Sequence, residues 1–275
     1  DIRPLRILLL NLMPTKAVTE TQILRLLSNT PLQIEITLLH TATHTSKNTA
    51  QEHLTSFYKD FSDVKGLRFD GMIVTGAPVE DLEYEDVDYW DEICEIYEWA
   101  KTHVYSSFFI CWGAQSALYY YYGLPKVKLP RKLSGVYENR VIVPSHPLVR
   151  GFDEVFFAPH SRNSEVTERS IAECPHLEIL SKSDKAGVYI AAARTGRRFF
   201  VMGHSEYDAD TLKNEYLRDL AKGINPDIPE NYFPFDNPEN TPKNFWRSHA
   251  HLLYSNWLNY FVYQDTPYNL DELDK

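Results

Sequence analysis

Two hydrophobic periods alternate through the first half of the chain. Residues 7–12 form an apolar run, the pattern of a strand covered on both faces, and the run stops at Met13-Pro14. Residues 20–27 place Ile23, Leu24 and Leu27 on one helical face, and residues 32–39 alternate as a strand, so the chain opens with a βαβ unit. A second helix is expected over 51–61. A third strand over 71–74 runs into the turn Thr75-Gly76-Ala77-Pro78. Residues 88–101 align Trp90, Ile93, Ile96, Tyr97 and Ala100 as the stripe of a third helix. A fourth strand over 106–110 delivers Cys111, and 114–122 reads as a helix of small and aromatic residues. Such alternation predicts an α/β fold with a doubly wound, mostly parallel, flavodoxin-like sheet. Ligands bind such sheets outside the carboxyl ends of the strands, and Met13-Pro14, Gly76-Ala77-Pro78 and Cys111 all fall there.

Beyond about residue 126 the alternation weakens into short strand-like runs at 136–143, 155–158, 177–180, 187–193 and 198–202. The last leads into Gly203-His204-Ser205-Glu206 and a helix over 211–222. Residues 225–243 are rich in Pro, Asn and Asp and read as a loop, and 244–263 read as one aromatic-rich helix. With no repeat and no clean linker, the expectation is a single domain over 1–275 with an elaborated second half. The aromatic tail helix makes a homodimer the expected assembly.

Composition narrows the function classes. The net charge of −10 argues against nucleic acid as the main partner and favours a small substrate. Three cysteines cannot all pair, which suits a reducing compartment and a cytoplasmic location. No apolar stretch is long enough to span a bilayer, and no basic segment followed by an apolar one suggests export, so neither membrane nor secretion is expected.

The chemistry concentrates in two places. In FFICWGAQSAL an apolar strand turns sharply at Cys111 into a helix of small residues, which is a nucleophile elbow. The helix dipole favours a thiolate there. The backbone N–H of Trp112 is free to hold an oxyanion, with a second N–H from the Gly76-Ala77 turn, at Ala77. The competing reading is a small buried core cysteine. In GHSEYD, His204 stands at another strand's carboxyl end and Glu206 follows by two residues, the arrangement of a general base with an orienting acid. The alternative is that both merely cap the following helix.

An elbow cysteine followed some ninety residues later by a strand-end His-x-Glu resembles the class I glutamine amidotransferase-like fold. The fuller set RPLRILLLNLMPTK, VTGAPVE, FICWGAQSAL, RKLSGVYE, FFAPHSR, GHSEYDADTL and INPDIPENYFPFDNP, with the aromatic tail, resembles the homoserine O-acyltransferase family of methionine biosynthesis. The resemblance implies acyl transfer from acyl-CoA to the hydroxyl of L-homoserine, with Cys111 carrying the acyl group, His204 as base and Glu206 orienting it. It implies homoserine contacts at Lys132, Ser161 and Arg218, and no cofactor beyond the acyl-CoA co-substrate. By the same resemblance, glutamate rather than glycine two residues after Gly-Ala-Pro, here Glu80, marks acetyl-CoA as the donor. Taken alone, Lys132, Arg218 and Glu80 read as solvated surface charges and Ser161 as a turn hydroxyl.

The rival readings are a homoserine O-succinyltransferase, a glutaminase or cysteine hydrolase on the same fold, and a non-catalytic protein with a redox-sensing thiol. Amidotransferases usually carry Gly before the elbow Cys and Pro between His and acid, where this chain has Ile110 and Ser205. His160, His249 and His251 lack partners at ligand spacing, so no metal is expected. Gly76-Ala77-Pro78 lacks the glycines of a phosphate fingerprint. The Tyr119 to Tyr122 run reads as interior or interface packing.

Overall fold

The apolar run that opens the chain is buried completely: Ile7, Leu8, Leu9 and Leu10 expose nothing, as a strand covered on both faces requires. In the computed structural model, which describes residues 3–44 and 50–273, this run is β1 (Leu5–Leu10). The further strands are β2 (Ile34–Leu39), β3 (Tyr58–Lys59), β4 (Phe69–Val74), β5 (Val104–Ile110), β6 (Val127–Val141), β7 (Val155–Glu165), β8 (Leu177–Ser183), β9 (Gly187–Ala193) and β10 (Arg198–Val201). They form one mixed, mostly parallel ten-stranded sheet in the order β3-β2-β1-β4-β5-β10-β9-β8-β6-β7. The block from β3 to β10 is parallel, and β10-β9-β8-β6-β7 continues it antiparallel.

Alternate side chains of the central strands feed opposite layers. Leu8, Leu10, Met72, Val74 and Phe109 face one core with Ile93, Ile96 and Tyr97 of the helix Trp90–His103. Ile7, Leu9, Ile73 and Phe108 face the other with Ile23 and Leu26 of Lys16–Leu27. We number the helices α1 (Lys16–Leu27), α2 (Gln51–Phe57), α3 (Phe61–Val64), α4 (Trp90–His103), α5 (Trp112–Tyr122), α6 (Glu168–Glu173), α7 (Thr211–Ala221) and α8 (Arg247–Asn256).

Four expectations are corrected. The helix expected over 51–61 ends at Phe57, because Tyr58-Lys59 pair with Leu38-Leu39 as an edge strand and Asp60 starts α3 with a capping box to Asp63. The tail helix expected over 244–263 begins at Arg247 and widens into a π-helix over Trp257–Tyr263. There Trp257 donates its indole N–H to Ser106 Oγ at 2.9 Å. The run expected at 155–158 continues to Glu165 by pairing with β6, and the sequence pattern hid this because the inward positions are polar, His160, Arg162 and Ser164, all buried. Helix α6 was not expected; Thr167 accepts a hydrogen bond from the Ser170 N–H and caps it.

The tail's apolar face, on which the expected homodimer rested, is spent inside the chain: Leu253, Tyr254, Trp257, Leu258 and Val262 pack in the second core. The tyrosine run of α5 is half-buried. Its rings cover the first core while the Tyr119 and Tyr120 hydroxyls donate to Glu85 and Glu98.

The start of α5 is held against β4 by Gly113, where an added Cβ would lie 2.6 Å from the Thr75 carbonyl and 2.9 Å from that of Val74. Both obstacles are backbone, so the helix itself has to move. Gly113→Ala is expected to destabilise the protein by about 1–3 kcal/mol, read as a lower denaturant midpoint with an unchanged slope.

Candidate active site

β4 and β5 run side by side, and β5 pairs in parallel with β10, Ile110 opposite Val201. Each of the three ends in a turn at the same edge. Cys111 leaves β5 with φ 50° and ψ −115°, a left-handed conformation that non-glycine residues adopt only when their surroundings impose it. Its N–H donates to the Val201 carbonyl at 2.7 Å, so the turn is pinned to the strand that carries the histidine. Trp112 is the first residue of α5, and a helix's first N–H has no intrahelical acceptor.

His204 is held from three sides. Its backbone N–H donates to the Pro159 carbonyl at 2.8 Å. Its Nδ1 meets Glu206 Oε1 at 2.6 Å, and the ring of Tyr207 stacks on it at 4.3 Å between centroids. The remaining nitrogen, Nε2, is left for the Cys111 side chain, with which His204 is in hydrogen-bonding and electrostatic contact. Cys111, His204 and Glu206 are only 4%, 3% and 7% exposed. Burial disfavours the imidazolium, but the charges of Cys111 and Glu206 and the hydrogen bonds to both outweigh it, and His204 titrates well above its ordinary value. Helix α7 begins only at Thr211 with Asp210 before it, so neither His204 nor Glu206 caps it.

Cys111 and His204, with Glu206 behind the imidazole, open into a cavity of ≈ 150 Å³ also lined by Met13, Pro14, Ala77 and Glu80. It occupies the crevice where strand order reverses between β1 and β4. A larger hollow of ≈ 460 Å³ lies around Tyr137, Arg140 and Lys182, with neither nucleophile nor base in its walls. Gly76 separates the reactive pair from β4: a Cβ there would lie 3.3 Å from His204 Cε1 and 3.4 Å from Cys111 Cβ.

Lys132, Ser161 and Arg218, far apart in sequence, line this cavity together. Ser161 lies on β7, and its hydroxyl donates to Glu215 Oε2 at 2.5 Å. Lys132 reaches Asp219 at 2.9 Å and Glu215 at 3.8 Å, and Arg218 forks onto Asp219 at 3.0 and 3.1 Å. The reading of the sequence missed Glu215 and Tyr207. Tyr207 donates its hydroxyl to Glu215 Oε1 at 2.7 Å. A signal was available in NEYLRD, where Glu215, Arg218 and Asp219 fall at i, i+3 and i+4 on one helical face.

Glu80 is half-buried and hydrogen-bonded rather than a free surface charge. It accepts hydrogen bonds from the Asn163 N–H at 2.9 Å and from Ser164 Oγ at 3.4 Å. Burial raises its pKa above the usual carboxylate value against the opposing pull of the Asn163 hydrogen bond, the His204 and Arg162 charges and Ser164. His160 is fully buried between the rings of Tyr137 and Tyr189, and His249 pairs with Asp153. Among the described residues no three His, Cys, Asp or Glu side chains are placed to hold a metal ion, and no helix is long and apolar enough to cross a membrane.

Residues 1–268 match the family model described as HTS: Homoserine O-succinyltransferase. The homoserine O-acetyltransferase of Bacteroides fragilis is 56% identical over 273 residues, 99% of this chain and 90% of that protein. Its counterpart from Acetivibrio thermocellus is 58% identical over 273 residues, again 99% and 90%. In three dimensions the chain is similar to a glutamine amidotransferase from Thermotoga maritima, TM-score 0.59 at 12% identity, covering 95% of this chain and 100% of that one. It is likewise similar to a glutamine amido transferase from Methylobacillus flagellatus, TM-score 0.58 at 10% identity, covering 98% and 99%. At such identities the likeness carries the fold alone, and the fold is the doubly wound, class I glutamine amidotransferase-like one expected from the sequence.

The half-buried Glu80 carboxylate has a consequence for stability. Since its folded pKa is raised, the native state holds the Glu80 proton more tightly than the unfolded chain. The associated stability is full below the unfolded value and is lost as pH rises through the folded one. Glu80→Gln, which keeps an acceptor for Asn163, is expected to gain stability over the native protein as pH rises through that interval, with no gain in more acid solution. Urea unfolding of both proteins across pH checks the sign.

Proposed function

Because the chain belongs to the homoserine O-acyltransferase family, we infer that it is a homoserine O-acetyltransferase, making O-acetyl-L-homoserine from acetyl-CoA and L-homoserine in methionine biosynthesis. The observation that carries the chemistry is the buried Glu206–His204 pair, 2.6 Å apart, with its imidazole against the elbow cysteine.

On this reading transfer is ping-pong. The Cys111 thiol gives its proton to His204 Nε2, its sulfur attacks the thioester carbonyl, and the oxyanion is held by the N–H groups of Trp112 and Ala77. The tetrahedral species collapses as CoA leaves and takes a proton from the His204 imidazolium. The homoserine γ-hydroxyl then gives its proton to His204 Nε2 as its oxygen attacks the acetyl-cysteine, and the sulfur leaves with the bonding pair. Glu206 keeps Nδ1 protonated and Tyr207 holds the ring plane, so Nε2 faces the sulfur through both halves.

The acceptor carries a carboxylate and an ammonium. Lys132 and Arg218 supply cationic groups beside the cavity, and Glu215, already accepting from Ser161 and Tyr207, supplies an anion for the ammonium. Glu80 selects the donor. A succinyl group would bring a second carboxylate into the cavity, and two like charges about 4 Å apart cost on the order of 4 kcal/mol at an effective dielectric near 20. Acetyl carries no such charge. The three cysteines are free, which supports a reducing compartment, the cytoplasm, as the place of action.

Intact-protein mass after mixing with acetyl-CoA and no acceptor is expected to show one acetyl group. It should vanish in Cys111→Ala and persist in Cys94→Ala and Cys174→Ala; label kept by the Cys111 variant would refute the thioester route. In direct competition the native protein is expected to prefer acetyl-CoA. Glu80→Gly should shift that preference toward succinyl-CoA by up to about a thousandfold, and an unchanged ratio would remove Glu80 as the selector.

A further inference from the structure

The cavity at Cys111 encloses ≈ 150 Å³, room for an acyl group and a small acceptor but not for the nucleotide end of the donor. The donor reading above, on which this inference rests, therefore requires a second surface beside the cavity.

A groove of ≈ 470 Å³ adjoins it and shares Asp81, Lys132, Asn163 and Arg218 with it. One wall is Pro130, Arg131 and Lys132, the end of the segment 126–132, KVKLPRK, with four basic residues among seven in a chain of net charge −10; Lys128 borders the groove through Asp81, which lines it. An irregularity in strand pairing aims this segment outward. Lys128 pairs with Ser164 and Leu133 with Arg162, so residues 129–132 of β6 have only Asn163 opposite them and must bulge. Lys128 and Arg131 end up 75% and 74% exposed, each bound to one partly exposed acid, Asp81 and Asp227. Exposed pairs of this kind are worth about 0–1 kcal/mol, so each cation can change partner at little cost. The facing wall, 224–229, offers Ile224, Pro226 and Pro229 with the Asn225 amide between them. Ile224 is left 56% exposed. Apolar surface interrupted by amides, ending at mobile cations, complements an arm that carries methyl and amide groups and ends in phosphates.

We propose that the bulge of β6 at residues 129–132, with Lys128 at its edge, and the facing turn 224–229 form the docking groove for the coenzyme A moiety of the donor. The pantetheine arm lies along Pro130, Ile224 and Pro226, and the phosphates engage Lys128 and Arg131. Lys126 has a separate task, since its ammonium already donates to the Glu80 and Leu82 carbonyls.

The test uses the double variant Lys128→Glu/Arg131→Glu, neither residue belonging to the reacting or homoserine-binding groups. The rate of Cys111 acetylation is followed against the concentration of two donors, acetyl-CoA and S-acetylpantetheine, which lacks the phosphates. The half-saturating acetyl-CoA concentration is expected to rise about tenfold or more, with S-acetylpantetheine saturation and the homoserine KM unchanged. The difference between native and variant should narrow as salt is raised. An unchanged acetyl-CoA response would overturn the proposal, as would an equal loss with both donors. Failure of the native protein to be acetylated by either donor is a different result, because it would remove the acyl-transfer reading and this groove with it.

Discussion

The parallel pairing of β5 with β10 is the constraint on which the site depends. It joins segments roughly ninety residues apart, and its register places Ile110 opposite Val201, so the next residues out, Cys111 and the Gly203-His204 turn, leave the sheet at the same edge. The hydrogen bond from the Cys111 N–H to the Val201 carbonyl closes the last rung of that ladder. A left-handed φ at a residue with a side chain costs on the order of 1–3 kcal/mol. What offsets it is the packing on either side: Phe109, Ile110 and Trp112 are essentially unexposed, and relaxing the turn would pull them from the core. The strain is local, and the burial that holds it is distributed.

Given that geometry, the second problem is charge. Cys111 and His204 are buried at the wall of the cavity, with Glu206 buried behind the imidazole, while the half-buried Glu80 and Glu215 also line it and Asp219 lines the adjoining groove. Ions removed from water are stabilised only when partners replace the lost hydration. Each carboxylate here has such partners: Glu206 the imidazole, Glu80 the Asn163 N–H and Ser164, Glu215 two hydroxyls, Asp219 two cations. The buried Oε2 of Glu206 is left without one among the described residues. Glu215 and Asp219 lie along one face of α7, so that on our reading this helix is the wall of the acceptor side, while β4, β5 and the start of α5 form the wall that carries Cys111.

Where burial of apolar surface alone decides structure, the sequence was a sufficient guide. Apart from the edge strand β3 and the short α3, the strands and helices of the parallel half and the elbow could be read from runs such as 7–12 and 106–110, because both faces of those strands are covered by helices. The antiparallel half was harder for a physical reason. β7 buries His160, Arg162 and Ser164 instead of aliphatic residues, so its inward face carries no hydrophobic period. The convergence of Lys132, Ser161 and Arg218 was available only through resemblance, since it depends on β6, β7 and α7 meeting in space. Glu215 and Tyr207 were passed over because an acid on an amphipathic helix and an aromatic after a turn are both ordinary until the pocket shows what faces them.

The bulge in β6 ties the two donor-side features together. Asn163, the residue opposite the bulge, donates its N–H to Glu80, and Lys126, just before the bulged residues, holds the Glu80 and Leu82 carbonyls. The loop that carries Glu80 is thus fastened to β6 and β7 at two points, and the basic segment emerges from the same irregularity. On our reading one local distortion therefore sets both how far the acyl end of the donor can enter and where its phosphates rest. The two are mechanically linked, because the thioester carbonyl must stand over Cys111 while its coenzyme lies in the groove. A family whose model is described by succinyl transfer, and whose similar members are described by acetyl transfer, can then change the acyl group at one side chain without rebuilding the coenzyme site. On that reading the part of the donor that differs meets Glu80, and the part that is shared meets the bulge.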